Sequence, residues 1–203
     1  MTGTSLAHET TRRRILDAAA DRLQRFGPLK TSMADVARDL HMSPANLYNF
    51  FPCKSALLEE LGELFFCQDR AVIRDLVATS ADPWQALRQT VTHIACVIRQ
   101  RIRNEKDVIQ LEIMEETNDW QFIRNFHGFV LATLTDLVAA IAAARGLHGI
   151  DSAHTAQALF DCLATAVEPA MVLKIPPEEH ERRLNAQLDL LERAFLPADG
   201  PDA

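Results

Sequence analysis

The chain has 203 residues, of which 48% are hydrophobic and only seven are glycine, with a formal net charge of −7. That length holds one large domain or a small one beside a larger one, and the apolar content excludes a disordered chain. No apolar run approaches the roughly 20 residues needed to span a bilayer. The N-terminus shows no signal-peptide core, so a cytoplasmic protein with no membrane partner is expected.

Charge is unevenly placed. Residues 1–57 carry 8 Lys and Arg against 5 Asp and Glu, a surplus of +3, whereas the remainder carries 13 against 23, or −10. A basic start on an acidic body aims one end of the molecule at phosphates. Cys53, Cys67, Cys96 and Cys162 are scattered without a Cys-x-x-Cys pair, so reduced thiols are expected, with neither a zinc site nor a disulfide framework.

In chain order, apolar spacing and stop signals predict an all-α fold of about nine helices. The first runs from about Thr10 to Phe26, with Ile15, Ala18, Ala19, Leu23 and Phe26 on one face and Gly27-Pro28 as its stop. A second spans Ser32 to Leu40, carrying Met33, Val36, Ala37 and Leu40 on one side, with Thr31 placed to cap it. His41-Met42 makes the turn. Ser43 caps a third helix, and Pro44 sits at its first position, where a missing N–H is harmless. Leu47 and Phe50 can face inward there, leaving Ala45, Asn46, Tyr48 and Asn49 outward.

A fourth helix is expected from about Pro52 to Ala78 and a fifth from Pro83 to Arg103, followed by a shorter one over residues 104–116. Asn118 or Asp119 would cap a long helix to Arg145, Asp151 another to about Leu173, and the last runs from Pro177 to Phe195. Alternating strand patterns and Asn-Gly turns are absent. Residues 1–55 then form a three-helix domain with a helix-turn-helix, and residues 56–203 a helical regulatory domain.

Residues 31–54 carry the most specific chemistry. A short exposed helix with small and amide side chains suits the major groove, since Asn bonds bidentately to adenine and Ala meets a thymine methyl. The competing reading is an ordinary helical hairpin, which has no use for an exposed Tyr48 and Lys54 around a Ser-Pro capped helix. The run Arg12-Arg13-Arg14 reads as a solvated helix start. Glu105, Asp107, Glu112, Glu115, Glu116 and Asp119 read as a solvated face rather than a metal site. No catalytic constellation and no cofactor motif is legible, so an enzyme is not expected.

The ordered segments Arg14-Ile15-Leu16-Asp17-Ala18-Ala19, Thr31-Ser32-Met33-Ala34-Asp35-Val36-Ala37, Met42-Ser43-Pro44-Ala45-Asn46-Leu47-Tyr48-Asn49-Phe50-Phe51 and Lys54-Ser55-Ala56-Leu57-Leu58 resemble TetR/AcrR-family transcriptional regulators. The resemblance covers about residues 10–60. It implies phosphate contacts from Ser32, Tyr48 and Lys54, base-edge contacts from Ala45, Asn46 and Asn49, and Met33 or Ala34 near the groove. With the flanking Thr31, Ser43 and Pro44, these are the expected DNA-binding residues. His41 departs from the glycine common in the turn, and Cys53 from a small polar residue.

The resemblance also implies a homodimer on a pseudo-palindromic double-stranded operator and an apolar effector. His93, Gln110, Met114, Trp120, Asn125 and Phe126 are the pocket candidates, as apolar lining with a few polar anchors. Leu184, Leu188, Leu191 and Phe195 recur at spacings of 4, 3 and 4, facing a stripe containing Leu159, Leu163 and Val167. These either meet a second copy or pack against their own domain. The expected function is a ligand-responsive regulator, most simply a repressor. The alternatives are control by a partner protein without a small molecule, or an all-α enzyme.

Overall fold

The computed structural model describes residues 3–103, 120–167, 169–172 and 174–196. The secondary-structure elements among those residues are all helices, with no strand. The helices are α1 (Gly3–Phe26), α2 (Met33–Asp39), α3 (Pro44–Tyr48), α4 (Lys54–Thr79), α5 (Pro83–Arg103), α6 (Gln121–Arg145), α7 (Ser152–Cys162), α8 (Ala164–Val167), α9 (Pro169–Val172) and α10 (Pro177–Ala194). The expected helix over residues 104–116 lies outside the described residues.

Two compact units emerge. One joins Met1–Cys67 to Arg101–Ile123, and the other joins Gln68–Gln100 to Arg124–Ala203. The division passes through α4, α5 and α6, whereas the sequence places a boundary at residue 55.

The first unit has a core of Ile15, Leu16, Ala19, Leu23, Met33, Val36, Ala37, Leu47, Phe51, Leu57, Leu58 and Leu61. These recur at three- and four-residue spacing in α1, α2 and α4, which fixes the faces that meet. Arg12 ties the elements together. Its guanidinium pairs with Glu60, donates to the Phe50 carbonyl at 2.8 Å and lies 4.3 Å over the Phe51 ring. The Glu60 bond holds its pKa above the ordinary arginine value.

In the second unit α6 buries Phe126, Val130, Leu134, Leu137, Val138, Ile141 and Ala142 along one face. By length and composition α6 is apolar enough to cross a membrane, contrary to the expectation that no such segment exists. Its buried residues at helical spacing account for that apolarity as packing. The helix expected from Asp151 to about Leu173 is divided into three. Leu163 ends α7 at φ −88° and ψ −1°, and Pro169 cannot donate to a carbonyl one turn back.

Candidate nucleic-acid interface

The connection between α2 and α3 is built from local signals. At the end of α2, His41 adopts φ +54°, the left-handed conformation usually taken by glycine. Its N–H reaches the Arg38 carbonyl at 3.1 Å, and the Met42 N–H reaches Ala37 at 2.9 Å. Both bonds satisfy carbonyls that the helix end would leave unpaired. Histidine therefore does the work of the missing glycine at some steric penalty.

Ser43 then caps α3, its hydroxyl accepting from the Asn46 N–H at 3.2 Å, with Pro44 at the first helical position. Leu47 is fully buried and anchors the helix, while Ser43, Pro44, Ala45, Asn46, Tyr48 and Asn49 are exposed. One apolar anchor in a five-residue helix leaves its remaining surface free for a groove.

The start of α2 differs from the sequence expectation. Ser32, not Thr31, is the cap, in a reciprocal arrangement with Asp35. The Ser32 hydroxyl donates to Asp35 Oδ2 at 2.6 Å and accepts from the Asp35 N–H at 3.2 Å. These bonds, chiefly the Ser32 hydroxyl, hold the Asp35 carboxyl below its usual pKa. Thr31 is buried and donates to the Gly27 carbonyl at 2.8 Å. Met33 is buried in the core, leaving Ala34 as the exposed neighbour. Neither Thr31 nor Met33 presents its side chain to a groove, because each is needed to close the unit.

Lys54 also carries an internal bond. Its ammonium donates to the Pro28 carbonyl, and partial burial lowers its pKa from the ordinary lysine value. An ammonium has three protons, so this bond leaves donors for a phosphate. Cys53, the other unusual letter, caps α4: its sulfur accepts from the Ala56 N–H at 3.4 Å, as a serine oxygen would.

Within the same unit, α4 receives the start of α6. The Glu59 carboxylate accepts from the N–H groups of Gln121 and Phe122 at 2.9 and 3.2 Å. The Phe122 ring lies over Gly62, where a Cβ would meet it at 2.6 Å, and stacks on Phe66 at 5.7 Å.

The described effector candidates fall in both units. Trp120 is buried in the first unit, whereas in the second His93 and Phe126 point inward and Asn125 is exposed. Gln110 and Met114 lie outside the described residues. A cavity of about 390 Å³ in the second unit is lined by Trp84, Arg88, Ile141, Arg145, Glu192 and neighbours, none of them an effector candidate. Its arginines are already paired, Arg88 with Asp189 at 2.7 Å and Arg145 with Glu192 at 3.2 Å.

The candidate dimer residues also turn inward. Leu159, Leu163, Leu184, Leu188 and Phe195 are buried within the single chain, and Val167 and Leu191 are half-buried. The periodic stripe is the face that packs on its own domain, as in the 6.0 Å contact of Phe195 with Trp84.

Residues 15–61 match the family model described as bacterial regulatory proteins, tetR family. The N-terminal domain is a TetR-family domain. The chain as a whole has the fold of solved TetR-family proteins. FadR of Thermus thermophilus, a TetR-family transcriptional repressor in complex with lauroyl-CoA, is 19% identical. That match covers 95% of this chain and 98% of that one, at a TM-score of 0.63. FadR from Bacillus subtilis, in complex with stearoyl-CoA, is 19% identical over 88% and 96% of the two chains, at a TM-score of 0.68. A TetR-family regulator from Pectobacterium atrosepticum is 17% identical over 98% and 100%, at 0.71. No curated protein matches the chain.

Proposed function

We infer that this TetR-family protein is a ligand-responsive repressor that binds a pseudo-palindromic operator as a homodimer. The exposed surface of α3 carries the reading: Ala45, Asn46, Tyr48 and Asn49 surround the single buried anchor Leu47. Asn46 and Asn49 would read base edges, Ala45 a thymine methyl, and Tyr48, Ser43 and Lys54 would hold phosphates. Ser32 keeps its bonds to Asp35 and is exposed enough to share its oxygen with water or phosphate.

The partner face of the dimer is drawn from the outward side of α9, α10 and the residues after it, where Met171, Leu190 and Leu196 are exposed. Two-fold symmetry would then set two α3 helices on half-sites one or more helical turns apart. An effector that binds better to the arrangement unable to span those half-sites lowers operator affinity, and tenfold needs only about 1.4 kcal/mol.

A gel shift with the neighbouring intergenic DNA tests the first part. Salt-sensitive retardation of one specific duplex is the expected result, and its absence for every duplex defeats the DNA-binding reading. A thermal-shift screen of apolar compounds, scored again for operator release, tests the second. The acyl-CoA esters bound by the Thermus and Bacillus proteins supply a first compound class for it. A screen whose stabilising compounds all leave operator affinity unchanged defeats the ligand response.

A further inference from the structure

The seven-residue α2 packs into the first unit through Met33, Val36 and Ala37. Burial of small apolar groups is non-directional, and so sets the depth of α2 more firmly than its rotation or slide. A polar grip supplies that setting. From α1, the Arg22 guanidinium reaches two carboxylates of α2 at once, Asp39 Oδ2 at 2.7 Å through Nη1 and Asp35 Oδ1 at 3.2 Å through Nη2. These acids lie four residues apart and share a helix face. Only 14% of the Arg22 side chain is exposed, and its guanidinium lies 5.0 Å over the Phe26 ring. Its buried Nε has no hydrogen-bond partner among the described residues, so the two terminal nitrogens carry the contact with α2.

Both elements that face DNA follow from this grip. At the start of α2, the Ser32 hydroxyl gives its one proton to Asp35 Oδ2 at 2.6 Å, and the Ser32 N–H reaches the same oxygen at 3.2 Å. Arg22 on the other oxygen thus fixes the carboxylate that orients Ser32. At the end of α2, the Met42 and His41 N–H groups bond the Ala37 and Arg38 carbonyls at 2.9 and 3.1 Å, tying the turn before α3 to α2. Any rotation or slide of α2 on α1 therefore carries α3 with it. Arg38 also pairs with Asp35 Oδ1, but it does so from α2 itself and with 70% of its side chain exposed. It cannot place α2 against α1.

We propose that Arg22 is a positioning residue for DNA recognition, bridging Asp35 and Asp39 so that Ser32 and the outward face of α3 are set together on α1. The assignment rests on the DNA-binding reading and adds the residue that aligns its two contact elements. An exposed ion pair has little effect on its own. Arg22 differs in being mostly buried and in holding two carboxylates with one planar fork. Lysine keeps the charge but offers a compact ammonium on a flexible stem, without the fork. Misalignment should harm base-edge contacts, which depend on geometry, more than phosphate attraction, which depends mainly on charge.

The test uses the full chain and its Arg22→Lys, Asp39→Ala, doubly substituted and Arg38→Gln variants. Fluorescence anisotropy gives the affinity for the duplex selected in the gel shift and for a scrambled duplex of equal length, well below each melting temperature. Arg22→Lys should weaken binding to the selected duplex about tenfold or more and to the scrambled one about threefold at most, narrowing the ratio that defines specificity. Asp39→Ala should narrow it in the same direction, and the double variant should be no worse than the weaker single one. Arg38→Gln should change both affinities by the same factor. A loss of stability alone leaves the ratio in place, because unfolded protein is withdrawn equally from both measurements.

Equal losses on the two duplexes, or none, in Arg22→Lys and Asp39→Ala overturn the positioning role. So does a double variant whose losses simply multiply. An Arg38→Gln ratio that falls as far as that of Arg22→Lys also overturns it, since the effect then belongs to the charge around Asp35. Should Arg22→Lys fail to fold, Asp39→Ala, at an acid 41% exposed, decides by the same ratio. All of these outcomes leave DNA binding itself standing. A parent protein that retards no duplex removes that reading and this proposal with it.

Discussion

Helices α3 and α6 begin in opposite ways. The five-residue α3 is set by its own neighbours: Ser43 caps it, Pro44 starts it and Leu47 pins it. The 25-residue α6 has its first N–H groups held by Glu59, which lies 62 residues before Gln121. Short helices are marginal alone, so α3 depends on that dense local chemistry plus one buried anchor. A long helix can take its cap from elsewhere because its packed face already fixes it. Helix α3 is consequently a local construction, and the start of α6 is a tertiary one.

Substitutions can break this contrast at either end. The largest effect should come from Leu47→Ala, which empties a fully buried site and should destabilise the first unit by about 2–5 kcal/mol. Operator binding should be lost with it. Chemical denaturation of the variant gives the number, and a loss below 1 kcal/mol on that scale would show that α3 is not held through Leu47. Gly62→Ala comes next. The added Cβ would sit 2.6 to 2.7 Å from carbons of the Phe122 ring. That ring is flanked by Phe66 and Trp120, each at 5.7 Å, and has little room to retreat. A loss of about 1–3 kcal/mol is expected from such overpacking.

The two caps can then be compared directly. Ser43→Ala and Glu59→Ala should each remove about 0.5–2 kcal/mol, the usual range for a helix cap. Their consequences should differ. Amide hydrogen exchange should speed up in α3 for the first and at Gln121 and Phe122 for the second. Faster exchange at both places in both variants would mean that the two helix starts are not separate constructions.

Legibility from sequence follows the same division. The cap and proline of α3, the buried Leu47, the exposed Asn46 and Tyr48 and the turn at His41 were all readable, because each depends on residues within a turn or two. Thr31 was misread by one position, since both Thr31 and Ser32 can cap and only the partner Asp35 decides between them. Glu59 as the cap of α6 was not readable, because nothing in a window of neighbouring residues connects it to Gln121. The Leu184–Leu188 stripe was ambiguous for a related reason: helical periodicity marks a buried face without saying whether the cover is the same chain or a second copy.

The smallest effect concerns acid. The Asp35 carboxyl lies below its usual pKa, first because the Ser32 hydroxyl bonds it and also through Arg22 and Arg38. A carboxylate depressed in the folded state adds stability above its unfolded pKa and loses it as pH falls through the folded value. The cap of α2 should therefore be at full strength at neutral pH and weaken on acidification below about pH 4, the range of an ordinary aspartate. Ser32→Ala removes the largest cause, so the variant should start less stable at neutral pH and lose less between pH 6 and pH 3. Melting temperatures of the two proteins across that window should converge towards low pH. Parallel curves would mean that the bond between Ser32 and Asp35 is not what depresses the carboxyl. Because both partners of this cap lie three residues apart, the result would also show how far a local construction can be titrated without touching the remote one at Glu59.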